Sequence, residues 1–336
     1  MDHLENCTKG SCRSACGCAI IWVSDTEDTL PNKHLEHPED NLFNGVDPYE
    51  VLDSLINFEY ASTKWDGAPA IVFGHNDGKW FVGTKSVFNK KKVKINYSPA
   101  DIARNHNGPV AQILTACFYA LPRVEGIYQG DFIGFGGRDI YKANTIQYKF
   151  PDIVSEDVIV APHTKYKEIS PDAVAEPASY VSMTSTHHKQ KTYRFLETNA
   201  SVSIPKRVKV LSRAAKLLIP FCKFPKDGAI YKQHVNKFVR NGVLPRASVI
   251  YDALPDKYKC EVNVMTFRLY NIILKLKDIL LSAATADEDV ECYINGEPSS
   301  HEGFVLHGKH SVKLVNRLEF SQANFNLNKN WTNEKV

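Results

Sequence analysis

Lys64 heads the segment Thr63-Lys64-Trp65-Asp66-Gly67-Ala68-Pro69-Ala70, where an Asp-Gly turn separates polar residues from the apolar run Ile71-Val72-Phe73. A lysine so placed can be a covalent nucleophile. Its neutral amine attacks an electrophile such as a nucleotide α-phosphate once neighbouring cations or burial lower its pKa from about 10.4. Asp-Gly is also an ordinary hairpin turn, so the tetrapeptide alone reads first as an exposed lysine opening a hairpin. Two other groupings could do chemistry. Cys7, Cys12, Cys16 and Cys18 crowd the N-terminus with His3 nearby. Their spacing is too compressed for the usual pair of zinc knuckles, and a flexible Cys-rich tail over 1–30 is the expectation. His34 and His37 stand near Glu36 and Glu39, where packing is expected before metal binding, and His187-His188 reads as solvated loop.

The elements that must position Lys64 can be read from periodicity. Asp47-Pro48 is an N-cap followed by proline at the first helical position, with Val51, Leu52, Leu55 and Ile56 on the buried side. Ala70–Phe73 and Lys79–Gly83 flank an Asp-Gly turn and predict a hairpin. A helix is expected over Val110–Ala120, a strand over Gly126–Ile133, and a half-buried strand over Asn144–Phe150. Residues 170–203 read as loops and residues 206–285 as helical. Strands return at Gly303–Leu306 and Ser311–Val315. The expected organisation is therefore α+β: a core over 31–150, a mainly helical insertion over 151–295, closing core strands over 296–325, and a tail over 326–336.

Set in chain order, Lys64-Trp65-Asp66-Gly67, Gly83-Thr84-Lys85-Ser86, Gly130-Asp131-Phe132-Ile133, Tyr148, Glu302-Gly303-Phe304-Val305 and Val312-Lys313-Leu314-Val315 form a series. The series resembles the covalent nucleotidyltransferase superfamily of ATP-dependent DNA and RNA ligases and mRNA-capping enzymes. The runs His34–Asp40, Lys64–Ala70, Val82–Lys90, Ile127–Asp131, Asn144-Thr145-Ile146 and Glu302–Phe325 are similar to uncharacterised ligase-like proteins of tailed bacteriophages. The resemblance implies a ligase-type fold with ATP-grasp-like antiparallel sheets. It implies that Lys64 takes up AMP from ATP, and that Asp66, Gly67, Lys85, Asp131, Tyr148, Glu302 and Lys313 surround the nucleotide. Lys85 and Lys313 would neutralise phosphate oxygens and keep Lys64 unprotonated. Asp131 and Glu302 would offer carboxylates to Mg²⁺, partly through waters. Tyr148 would stack on the base, with Phe150 an equal alternative.

Three departures mark the chain. Val315 stands where a second lysine is usual, leaving the phosphate contact to Arg317 or Lys309. Asp131 is a methylene shorter than the common glutamate, and Lys85 lacks the planar fork of arginine. The chain ends too soon after Val315 for the OB-fold domain of DNA ligases and capping enzymes, so RNA is expected before DNA. Net charge is only +3, and a nucleic acid must be met by local patches. The tract Lys90, Lys91, Lys92 and Lys94, close after Lys85, is the first of these and the better placed to guide a nucleic-acid end. Lys206, Arg207, Lys209, Arg213 and Lys216, with Lys232, Lys237 and Arg240, are the second. No apolar run approaches the roughly 20 residues of a membrane span, and cytoplasmic residence is the expectation. The expected function is an ATP-dependent polynucleotide ligase joining 5′-phosphate and 3′-hydroxyl ends. The alternatives are a non-catalytic binding protein of the same fold, or transfer to another acceptor.

Overall fold

The computed structural model describes residues 35–178, 192–318 and 320. The N-terminal cysteines, His3, His34 and His187-His188 lie outside them. Proline opens two short helices, α1 (Pro38–Asn41) and α2 (Pro48–Ser54), at positions where its missing N–H is no loss. Asp47 caps α2 as expected, accepting from Tyr49 N. Strand β1 (Tyr60–Lys64) ends on the candidate nucleophile. The expected hairpin is β2 (Ala70–Asn76) and β3 (Lys79–Thr84), with Asp77 and Gly78 at positive φ in its turn. Helices α3 (Pro99–Asn105) and α4 (Gly108–Ala120) follow. Then come β4 (Ile127–Phe135), β5 (Arg138–Lys142), β6 (Gln147–Val154), β7 (Val158–Tyr166), β8 (Ala175–Pro177), β9 (Tyr193–Phe195) and β10 (Asn199–Val202). Four helices form one block: α5 (Lys206–Leu218), α6 (Ala229–Arg240), α7 (Ala247–Asp252) and α8 (Val264–Leu281). Strands β11 (Ala284–Ala286), β12 (Glu291–Ile294), β13 (Glu297–Ser299), β14 (Gly303–His307) and β15 (Val312–Val315) complete the fold.

The described strands make three sheets. One has the order β11-β10-β1-β14-β15, the second β3-β2-β4-β7-β8 with β9 beside β7, and the third β13-β12-β6-β5. Every pairing is antiparallel except β7 with β9. In such ladders, residues directly opposite share a face. Lys64 lies opposite Gly303, which lies opposite Val315; Ser62 lies opposite Val305, which lies opposite Lys313. Ser62, Lys64, Val305 and Lys313 therefore share one face. The alternate residues Ala61, Phe304, Leu306, Val312 and Leu314 turn the other way, into a core with Leu52, Val208, Phe267, Tyr270 and Ile273 of the helices. Each fully buried side chain of this kind contributes about 1.5–3 kcal/mol.

The second sheet is covered on one face by α4, whose Leu114 and Cys117 meet Ile71, Phe73 and Tyr128. Its other face carries Val72, Phe81 and Ile127. Ala70 lies opposite Asp131 and Val72 opposite Gln129, which places Asp131 on that second face. Trp65, Ile133, Tyr148, Phe150, Ile159, Cys292 and Val315 form one apolar cluster that ties the three sheets together.

The expected division of the chain at residue 151 is not where the structure divides. Strand β6 runs through it and pairs with β5 and β12, while β7 pairs with β4. Pro151 is tolerated because it lies where the β5–β6 ladder shifts register, and no ladder N–H is required there. Within 151–295, helices fill only the part from Lys206 to Leu281. The stretch 170–203, expected as loops, also carries the short strands β8, β9 and β10.

Candidate active site

The Lys64 ammonium donates to Glu302 Oε2 in a close ion pair, with 33% of the lysine side chain and 16% of the glutamate side chain exposed. Register explains the meeting. Lys64 ends β1 opposite Gly303, and Glu302 immediately precedes that glycine. Gly303 is required by close packing, since a Cβ there would lie 1.9 Å from Leu314 O. Burial alone would lower the Lys64 pKa, but Glu302, then Asp131 and Asp66, outweigh it and raise it above the ordinary value. Burial raises the Glu302 pKa against the opposing pull of Lys64, with Asp66 and Asp131 adding to the rise. At rest Lys64 is thus a protonated cation, whereas the sequence led us to expect a lysine kept neutral by Lys85 and Lys313.

The Lys313 backbone N–H donates to Glu36 O at 3.4 Å, but its ammonium has no hydrogen-bond or ion-pair partner among the described residues, with Glu36 and Glu302 acting on it only at longer range. Its pKa is lowered, first by burial and then by Lys64. A half-buried ammonium without a contact partner can receive an anion. Asp131 stands 3.7 Å from His163 Nε2, a neighbour that no sequence motif announced. Lys85 is exposed at the start of a 3-10 turn, Lys85–Phe88, that follows β3. Because Ile71 pairs with Thr84 and Ala70 with Asp131, Lys85 lies at the same end of its sheet as Asp131.

Other expected contacts are committed elsewhere. Asp66 is buried, and its carboxylate accepts from Asn144 Nδ2 (2.9 Å), Thr145 N (2.8 Å) and Ile146 N (3.0 Å). It clamps the turn after Lys64 to the 144–146 loop, and its oxygens are spent on protein donors rather than on a nucleotide. Gly67 is required by contact: a Cβ would lie 2.7 Å from Phe132 O and 2.8 Å from Asp131 Cβ. It packs the turn directly on β4 and so fixes Asp131 beside Lys64. Tyr148 is corrected outright. It is 0% exposed, its hydroxyl accepts from Asp66 N at 2.8 Å, and its ring lies against Trp65. With no open face it cannot stack on a base, and Phe150 is buried in the same cluster.

Neither expected substitute for a second lysine is free. Arg317 donates to Asp40 Oδ1 (2.9 Å), Glu39 Oε1 (3.2 Å), Tyr270 Oη (3.1 Å) and Asn236 Oδ1. Lys309 pairs with Glu50 at 2.7 Å. Lys90, Lys91 and Lys92 are exposed, whereas Lys94 is half-buried and donates to Asn105 O at 2.7 Å. Lys206, Arg207, Lys209 and Arg213 are exposed on α5, whereas Lys216 pairs with Asp53.

The sequence also left His37 unassigned to the site. Burial, followed by Lys277, Arg317, Lys313 and Lys64, drives its pKa far down and keeps the ring neutral. A cavity of about 650 Å³ bordered by Asp287, Glu288, Glu291 and His301 reaches this region through His301, the neighbour of Glu302, and through Phe304.

No curated protein matches the chain, and no solved structure matches it. A family model does match, over residues 32–329. That span takes in Lys64, Asp66, Asp131, Glu302 and Lys313, and the chain belongs to DUF6267, a family of unknown function.

Proposed function

We propose that the chain is an ATP-dependent nucleotidyltransferase of the polynucleotide-ligase type, acting on RNA before DNA. One observation carries the reading. Lys64, paired with Glu302 and within the field of Asp131, shares a sheet face with the unpartnered cation Lys313. In this reading the Lys64 amine attacks the α-phosphate of ATP, a phosphoramidate N–P bond forms, and pyrophosphate leaves. AMP then passes to a 5′-phosphate, and a 3′-hydroxyl displaces it. Lys313 holds phosphate oxygens, and Lys85 adds charge at the open end of its sheet.

The donor set fits a magnesium ion in part. Among the described residues no three His, Cys, Asp or Glu side chains converge as a metal cage. Two carboxylates, Asp131 and Glu302, suffice for an ion that keeps several waters and takes phosphate oxygens. When bound, such an ion neutralises developing phosphate charge. Before attack the Lys64 ammonium must be released from its pair with Glu302 and lose a proton, to that carboxylate in contact with it or to water. Tyr148 does not fit the base.

The test is incubation with α-labelled ATP and Mg²⁺ followed by a denaturing gel. Label on the wild type that survives denaturation and is absent from Lys64→Ala supports the reading. No label with any nucleoside triphosphate on folded protein removes it. Nicked RNA, nicked DNA and single strands as acceptors then separate ligation from transfer to other groups.

A further inference from the structure

With Tyr148 and Phe150 buried, the exposed aromatic on the Lys64 face is Tyr60. Strand β1 alternates along its length: Tyr60 exposed, Ser62 and Lys64 half-buried, Ala61 and Thr63 buried. Tyr60 lies opposite His307 across the ladder. Their rings stack at 4.5 Å with 13° between planes. His307 is itself buried, and its Nε2 lies 2.8 Å from Ser62 Oγ. Burial lowers its pKa to about 4, so the ring beneath Tyr60 is uncharged at neutral pH. The tyrosine is thus held flat by a fixed partner while 46% of it stays open to solvent.

We infer that Tyr60, backed by His307, is a stacking platform for a base of the single-stranded polynucleotide end presented to Lys64. The inference rests on the nucleotidyl-lysine reading of Lys64 and adds the substrate's footprint to it. Strand rise of about 3.3 Å per residue puts Tyr60 about 13 Å from Lys64 along β1. That is farther than a nucleotide's own base reaches from its α-phosphate, so the platform serves the acceptor strand and not the ATP. Lys313 belongs to the intermediate row, opposite Val305 and Ser62, on the same face. Its free ammonium therefore lies where the phosphates between that base and Lys64 must pass. Aromatic stacking tolerates any base, and an RNA or DNA strand meets the same surface.

The experiment measures binding of a fluorescein-labelled, 5′-phosphorylated RNA dodecamer by anisotropy, without ATP, with a DNA dodecamer in parallel. Tyr60→Ala is expected to raise Kd for the bound strand about 5- to 150-fold. Tyr60→Phe, which keeps the ring, is expected to stay within about twofold, and circular-dichroism melts check that both variants fold. Tyr119→Ala, which removes an exposed aromatic of α4 outside this face, is expected to bind as wild type, and because no ATP is present the result stands apart from the labelling test. Unchanged strand binding in Tyr60→Ala overturns the inference, as does a wild type that binds neither dodecamer. A raised KM for ATP in the labelling reaction, with strand binding intact, overturns it too, because the ring would then serve the nucleotide.

Discussion

Asp66→Ala removes a carboxylate that accepts three hydrogen bonds, two of them from the backbone N–H groups of Thr145 and Ile146. Both residues are buried. A buried donor left without an acceptor costs about 1–3 kcal/mol, so the pair costs about 2–6 kcal/mol. Water entering the space left by the carboxylate satisfies part of this and moves the expectation to about 2–4 kcal/mol. Asp66→Asn keeps the shape. Its amide oxygen can take both backbone donors if Asn144 turns its own amide over, and the remaining loss is that between charge-assisted and neutral bonds, about 1 kcal/mol. Urea unfolding followed by tryptophan fluorescence measures both variants, with the slope of the transition checked for constancy. The clamp also fixes the turn after Lys64. Labelling of Lys64 by ATP, measured on folded protein, should therefore fall in Asp66→Ala and largely return in Asp66→Asn. A stability change in Asp66→Ala below about 0.5 kcal/mol, well under the cost of one bare donor, would refute the clamp. So would an Asp66→Asn variant as damaged as Asp66→Ala.

Three further perturbations test the surroundings. Glu39 and Lys277 form a fully buried pair at 2.6 Å. Glu39→Ala strands the lysine and should cost about 3–5 kcal/mol, whereas Lys277→Met leaves Glu39 with Arg317 and should cost less; urea midpoints in the reverse order contradict this. Burial lowers the His301 pKa to about 4, while the unfolded ring titrates near 6.5. The unfolded state alone takes up the proton between these values, so stability falls as pH drops through that window, by up to about 3 kcal/mol for this group. His301→Phe should therefore lose less stability than wild type between pH 7 and pH 5, and equal losses would discard the assignment. Glu302→Gln removes the strongest influence holding the proton on Lys64. A small amine-directed acylating reagent at pH 8 should then modify Lys64 faster, read by peptide mass spectrometry, and an unchanged rate counts against that role for Glu302.

The local parts of this site were readable in the sequence because local chemistry determines them. Asp47-Pro48 caps a helix wherever it is placed, and Asp77-Gly78 closes a hairpin between two apolar runs. What escaped reading depends on pairing across the chain. Asn144-Thr145-Ile146 is only a string of residues until Asp66, 78 to 80 positions away, accepts from all three. Alternation predicted one buried face for the strand around Tyr148. It could not say that this face meets Trp65 and Val315 and leaves no room for a base. Arg317 lies near Lys313 in sequence and looked like a spare phosphate ligand. Burial decides otherwise, because Glu39 and Asp40, more than 270 positions away, need a cation with several donors. Proline at 151 looked like a boundary, yet a register shift gives it a place inside a strand.

The charge around Lys64 follows from contact rather than from count. Lys85 and Lys313 were expected to repel its proton, but Lys85 is exposed and Lys313 is two strands and one row away. Glu302 touches it. Coulomb energy falls with distance and with solvent between charges, so one carboxylate in contact outweighs two separated cations. Val315 strengthens this balance. It lies in register with Lys64 across Gly303 and is buried with Trp65 and Tyr148, so a lysine there would have to push its ammonium out of an apolar cluster. Val315 is therefore part of the wall that holds the Lys64 turn, and under the proposed function Lys313 carries the phosphate-facing charge of that sheet. A site built this way keeps Lys64 protonated while Glu302 stays in contact with it. Asp131, fixed beside it by the Gly67 contact, adds to that hold.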